Sequence, residues 1–236
     1  MALDVLSPLE RGRAAYTLAS TLRYAGRIEE SLQYYEMARL LYHEAGNHRG
    51  EARALYGLGD GRHNQGRVEE ALQCWEDALP LSRKVSDRVN EAFCLDALGN
   101  LYFDQGRMEE ALLNYQEALA SARETGNRGS ECHELANLGG WYMRQGRMAE
   151  AQQHFQDALA IAREASNRRV EGHILGDLGV LHMHQGRLVE ASASLNDALA
   201  IALDSGNRRF ETNIRRDLGD LLLREGRPEE ALEHLG

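Results

Sequence analysis

Residues 95–115 read LDALGNLYFDQGRMEEALLNY, and this stretch decides the fold. Leu95, Leu98, Gly99 and Tyr102 share one side of a first helix, while Ala111, Leu112, Tyr115, Ala118 and Leu119 share one side of a second. Gly106 falls between them, where a residue of positive φ can end one helix before Glu109 and Glu110 favour the positive end of the next. The same turn recurs every 40 residues, at Gly26-Arg27, Gly66-Arg67, Gly106-Arg107, Gly146-Arg147, Gly186-Arg187 and Gly226-Arg227. A fixed period of this size marks a solenoid of stacked units, a long surface for partners with little room for a buried catalytic centre.

Links between units are equally regular. Gly46-Asn47, Ser86-Asp87, Gly126-Asn127, Ser166-Asn167 and Gly206-Asn207 each end a helix and offer a side-chain cap to the next, and a glutamate follows in every first turn, from Glu51 to Glu211. Ser7, Pro8 and Glu10 read as a capping box with proline at the first helical position. Pro80 interrupts a second helix and predicts a kink or an early end. A second helix opening at Pro228 has only nine residues to Gly236, so the sixth pair is incomplete and its face is a candidate contact, or the chain is a fragment.

Composition narrows the function classes. Twenty-seven basic against thirty-seven acidic residues leave a net charge of -10, the wrong sign for a surface that tracks phosphates of a nucleic acid. Cys74, Cys94 and Cys132 form no CxxC pair and lie inside helical stretches, which suits a reducing compartment. With no signal-like start and no apolar run long enough for a bilayer, the expectation is a cytoplasmic protein without membrane contact.

The units resemble the tetratricopeptide repeat. Leu95, Leu98-Gly99, Tyr102, Ala111 and Tyr115 carry the likeness in the third unit; Leu135, Leu138-Gly139, Tyr142, Ala151 and Phe155 repeat it in the fourth, and Leu55, Leu58-Gly59, Ala71 and Trp75 in the second. The period of 40 rather than 34 and the missing closing proline look like the subtype found in kinesin light chains. This resemblance implies an all-α, right-handed superhelical solenoid, read here as one domain over residues 1–236 with repeats at 7–46, 47–86, 87–126, 127–166, 167–206 and 207–236. The small residues suggest close helix approach, with Gly59, Gly99, Gly139, Gly179 and Gly219 facing Ala71, Ala111, Ala151, Ala191 and Ala231.

In this family the first helices line a concave groove, and the side chains opposite the packing stripe face it. Helical spacing assigns Arg13, Tyr16, Ser20, Arg23 and Tyr24 from the first unit, and Arg53, Tyr56, Asp60, His63 and Asn64 from the second. Phe93, Asp96, Asn100, Phe103 and Asp104 follow, then His133, Asn137, Met143 and Arg144, then His173, Asp177, Val180, Met183 and His184. Arginines interleaved with tyrosines suit an acidic peptide or protein bearing an aromatic or aliphatic anchor; the bland alternative is a solvated face paired with nearby glutamates. Asn100 and Asn137 could bond the backbone of an extended peptide. Asp96 and Asp104 argue against a clamp for a peptide C-terminus. His182 and His184 point to different helix faces, and no HxxxH or HxxE pair supplies a metal.

No strand-turn-helix elbow, phosphate loop or cysteine with a positioned base is present, so no catalytic residue and no cofactor is assigned. The reading is a non-catalytic interaction scaffold; the alternatives are an assembly protein lying along a filament and a regulatory segment of a larger signalling protein. Reversing Arg13 and Arg53 together is expected to abolish capture of an acidic partner while thermal stability holds.

Overall fold

Each strong helix-stop signal in the sequence becomes a chain reversal in the computed structural model, which describes residues 6–235. All regular structure among them is helical. The first helices of the pairs are α1 (Pro8–Tyr24), α3 (His48–Asn64), α5 (Arg88–Asp104), α7 (Arg128–Arg144), α9 (Arg168–His184) and α11 (Arg208–Arg224). The second helices are α2 (Ile28–Glu44), α4 (Val68–Lys84), α6 (Met108–Glu124), α8 (Met148–Glu164), α10 (Leu188–Asp204) and α12 (Pro228–Leu235). α1–α6 belong to one compact unit and α7–α12 to another. Within each, consecutive helices pack in the solenoid manner of helix-pair repeats.

Turn chemistry explains the regularity. Gly26, Gly66, Gly106, Gly146, Gly186 and Gly226 take φ between 72° and 76°. The chain then closes a Schellman motif, as where the Arg27 amide donates to the Leu22 carbonyl at 2.9 Å and Arg107 to Tyr102 at 2.8 Å. Asn47, Asp87, Asn127, Asn167 and Asn207 accept from the amide three residues on, and Ser7 and Glu10 complete the expected capping box.

The arginine of the Gly-Arg turn caps α2, α4, α6, α8 and α10 without a side-chain acceptor, and in all six turns its guanidinium grips the glutamate three residues later. The six pairs are Arg27–Glu30, Arg67–Glu70, Arg107–Glu110, Arg147–Glu150, Arg187–Glu190 and Arg227–Glu230. At Arg67 the grip is two-pronged, with Nε and Nη2 at 2.7 and 2.6 Å from the two carboxylate oxygens. Arg107 and Arg147 also lie over the rings of Tyr102 and Tyr142, at 4.1 and 4.6 Å.

Close approach occurs at Gly59, Gly99, Gly139 and Gly179, but the neighbour is a large side chain, a ring at the first three, rather than an alanine. A Cβ at Gly99 would stand 2.7 Å from the Tyr115 ring, and one at Gly139 2.6 Å from Phe155; Trp75 covers Gly59, and Leu195 fills this place over Gly179. The alanines are buried beside these contacts.

Pro80 does not end its helix early: α4 runs its full 17 residues to Lys84. The proline is exposed, so the Glu76 carbonyl that loses its helical donor faces the solvent side, where water can serve it.

Two stability outcomes follow. Gly139→Ala should lower unfolding free energy by about 1–3 kcal/mol, because overpacking against Phe155 outweighs the helix-propensity gain of roughly 1 kcal/mol; a urea titration reads it. Ser86 and Ser166 hold φ of 52°, a region that penalises a Cβ. Replacing both by glycine should raise the melting temperature, each site gaining about 0.5 kcal/mol after the entropy of glycine is subtracted.

Candidate functional site

First helices touch one another along each unit, α1 with α3 and α3 with α5, then α7 with α9 and α9 with α11. These contacts make them the inner wall of each stack. Because the repeat is 40 residues, equivalent side chains line up on neighbouring helices: Arg13 with Arg53, Tyr16 with Tyr56.

A cavity of about 270 Å³ lies at the start of the first unit, lined by Arg13 and Tyr16 of α1, Tyr42 of α2, Asn47 of the turn, and Arg49 and Arg53 of α3. Arg53 holds Asp87 through Nε and Nη2 at 3.0 and 2.9 Å, and Arg49 reaches the same oxygen at 3.4 Å. Asp87 is 5% exposed and also caps α5, so this carboxylate is fixed. Arg13 is exposed and has no ion-pair partner among the described residues. Burial pushes the Tyr16 and Tyr42 hydroxyls above their ordinary range, against the opposing pull of the nearby arginines, so both stay protonated donors.

Further along the same wall the other expected residues engage one another. Arg23 bridges to Asp60 at 3.1 Å and lies 5.1 Å from the ring of Tyr24, which is 84% exposed. Tyr56 stacks on Phe93 at 5.7 Å, and His63 tilts against Trp75 at 5.6 Å. Asn100 accepts from the Tyr115 hydroxyl at 2.9 Å and donates to Asp96 at 3.0 Å, which leaves one amide N–H to offer. Tyr56, Asp60, His63, Trp75, Asp96 and Asn100 share a second cavity of about 170 Å³. Phe103 is half-buried on α5.

Asn137 belongs to the second unit, where its amide reaches Glu134 at 3.4 Å. Met183, assigned to the groove by spacing, is instead buried at 6% exposure. His173 packs 4.2 Å from Phe210, and burial holds its imidazole below the usual range. Asp177 is exposed at its surface yet surrounded by the protein of the inner wall, and the desolvation this brings, together with Asp217, pushes its carboxyl up to about 7. No three His, Cys, Asp or Glu side chains gather for a metal ion among the described residues, and no helix there is long and apolar enough to cross a membrane.

Spacing along first helices missed Tyr42, Asn47 and Arg49, because they come from the neighbouring helix, the turn and the first turn of α3. The helical wheel of one element could not find them; the Asn47 cap signal placed that residue without its cavity. Spacing also left Arg53 looking free. With its hold on Asp87, reversing Arg53 would cost stability, so Arg13 alone is the clean handle.

An Asp177 carboxyl raised above its ordinary 3.8 stabilises the fold fully below that pH, and the contribution is lost as pH rises through about 7. Asp177→Asn should therefore flatten part of the fall in melting temperature across this window, measured by thermal unfolding at stepped pH.

A tetratricopeptide repeat model matches residues 61–124, 131–204 and 170–236, and a second model with this description matches residues 16–84. No curated protein sequence matches the chain. Among solved structures, the apo form of RapI superposes with a TM-score of 0.81 at 14% identity, covering 98% of this chain and 82% of that one. A Rap protein complexed with Competence and Sporulation Factor gives 0.77 at 18% identity, covering 98% of this chain and 65% of that one. A putative kinesin light chain from Podosopora anserina with nearly identical TPR-like repeats gives 0.67 at 18% identity, covering 86% and 99%. At these identities the likeness is one of fold. With the family models spanning nearly the whole sequence, the chain belongs to the tetratricopeptide repeat family.

Proposed function

We propose that this protein is a non-catalytic interaction scaffold whose first unit binds an acidic peptide or protein segment along the α1–α3–α5 wall. The observation that carries this reading is the Arg13–Arg49–Arg53 cavity, where three guanidiniums gather and one fixed carboxylate, Asp87, pairs with two of them. Such a surplus of forked donors beside tyrosine rings suits carboxylates next to an aromatic or aliphatic anchor. Asp60, Asp96 and Asp104 further along would repel acidic residues, so acidic contacts belong at the α1 end and neutral or aromatic ones beside Tyr56 and Phe93. The Rap complex supports the reading in that a protein of this fold holds a bound factor. The reading places the protein in the cytoplasm, without nucleic acid, membrane or cofactor as partner.

A fluorescein-labelled peptide alternating Glu and Tyr, titrated by anisotropy, tests it. Arg13→Glu should weaken binding by about tenfold or more. Melting should stay within the small change of an exposed, unpaired side chain, about 0.5 kcal/mol. Binding that is unchanged by Arg13→Glu, or equalled by a Lys–Tyr peptide, would exclude this surface. The likeness to a putative kinesin light chain favours a second reading, assembly along a filament; growth of scattered light with concentration would support it over a groove binder.

A further inference from the structure

We propose that the cavity between α1 and α3 takes a phosphate monoester dianion carried on a side chain of the partner peptide. This rests on the reading that the first unit's inner wall binds a peptide, and it specifies what enters the cavity.

Charge comes first. Arg13, Arg49 and Arg53 line the cavity, and among the described residues the one carboxylate paired with any of them is Asp87, held by Arg49 and Arg53, which leaves an excess of two positive charges over these four groups. A phosphate monoester brings about two negative charges at neutral pH and cancels that excess, whereas a carboxylate cancels half of it. The next acid, Glu10, stands one turn before Arg13; the Ser7 amide and hydroxyl hold it at 2.9 and 2.8 Å, and the Arg13 charge acts on it more weakly, without an ion pair.

Donor supply points the same way. Arg53 turns Nε and Nη2 to Asp87 and keeps Nη1; Arg13 keeps its whole fork. Asn47 uses its side-chain oxygen to cap Gly50 at 3.1 Å, which leaves its amide hydrogens to donate. Tyr16 and Tyr42 add protonated hydroxyls. Three tetrahedral acceptor oxygens can use donors converging from α1, α2 and α3, where a planar carboxylate would leave several unmet. A volume of about 270 Å³ admits the phosphorylated end of a side chain, and the two tyrosine rings give its stem an apolar wall.

Repeat comparison shows that the repeat itself does not require arginine at these positions. The position of Arg13 and Arg53 is Phe93, His133, His173 and Asn213 in later units, and that of Arg49 is Val89 and Gly129 before arginine returns at Arg169 and Arg209. The third and fourth repeats, which lack all of them, fold with equivalent helix bounds. The triple arginine arises where the first two units meet; Arg53 and Arg49 also tie down Asp87, whereas Arg13 has no ion-pair partner among the described residues to account for it.

Calorimetric titration of the full chain with phenyl phosphate, benzoate and inorganic phosphate tests the assignment. Phenyl phosphate should bind about tenfold more tightly than benzoate, and Arg13→Gln should remove about tenfold of its affinity with melting unchanged. Inorganic phosphate should bind more weakly than phenyl phosphate, since it lacks the stem that meets the tyrosines. Equal affinity for benzoate, no measurable binding of phenyl phosphate, or binding indifferent to Arg13→Gln would each overturn the dianion. Inorganic phosphate binding as tightly as phenyl phosphate would overturn its carriage on a side chain. In any of these cases, retained Arg13-dependent binding of the Glu–Tyr peptide would leave the acidic-peptide reading standing, so the two ideas fail separately.

Discussion

A positive φ recurs at every twentieth residue from Gly26 to Gly226, and the rest of the structure depends on it. Each reversal spends three residues and leaves 17 for the helix. One residue more or less would rotate the next helix's stripe by about 100° and carry its buried face toward water. Constant length therefore does what a sheet register does elsewhere: within each unit it keeps the apolar stripes facing their neighbours and the inner-wall positions in line. Glycine supplies nine of these eleven turns and serine two, so the backbone requirement outranks side-chain identity.

Cohesion within each unit is correspondingly local. Rings of second helices press on glycines of first helices. A second set of ties crosses the links: Glu51 contacts His43 at 2.9 Å, Glu91 contacts Arg83 at 2.9 Å and Glu171 contacts Arg163 at 3.0 Å, each partner eight residues back. Burial works against the Glu171 charge, yet Arg163 and Arg168 hold its carboxyl below the usual range. These ties join one helix pair to the next and spread stability along the chain, as expected where each repeat meets only its neighbours.

Much of this was legible in the residues. Gly106 and its equivalents, the Asn and Asp caps, the Ser7 box and the pairing of turn arginines with helix-start glutamates all follow from local chemistry, which acts over three or four residues. What escaped the sequence depends on distance across elements. Trp75, Tyr115 and Phe155 reach glycines of another helix, and ring length rather than spacing sets that contact. Pro80 predicted a break because its exposure was unknown. Met183 sat on the groove stripe by spacing, yet it lies at the end of α9, where the neighbouring helix covers it. The cavity itself joins three elements, so reading α1 and α3 separately gave Arg13 and Arg53 without Tyr42, Asn47 or Arg49.

Asp87 also changes how the arginine cavity would meet a ligand. An unpaired arginine samples many rotamers, and ordering one on binding costs about 0.5–1.5 kcal/mol. Arg53 and, more loosely, Arg49 are already held by a carboxylate fixed at a helix cap, so much of that ordering is completed when the chain folds. Only Arg13 has to settle. The same carboxylate that reduces the cavity's charge thereby keeps its entropy loss small, and selectivity comes to rest on the geometry of guanidiniums set in place beforehand.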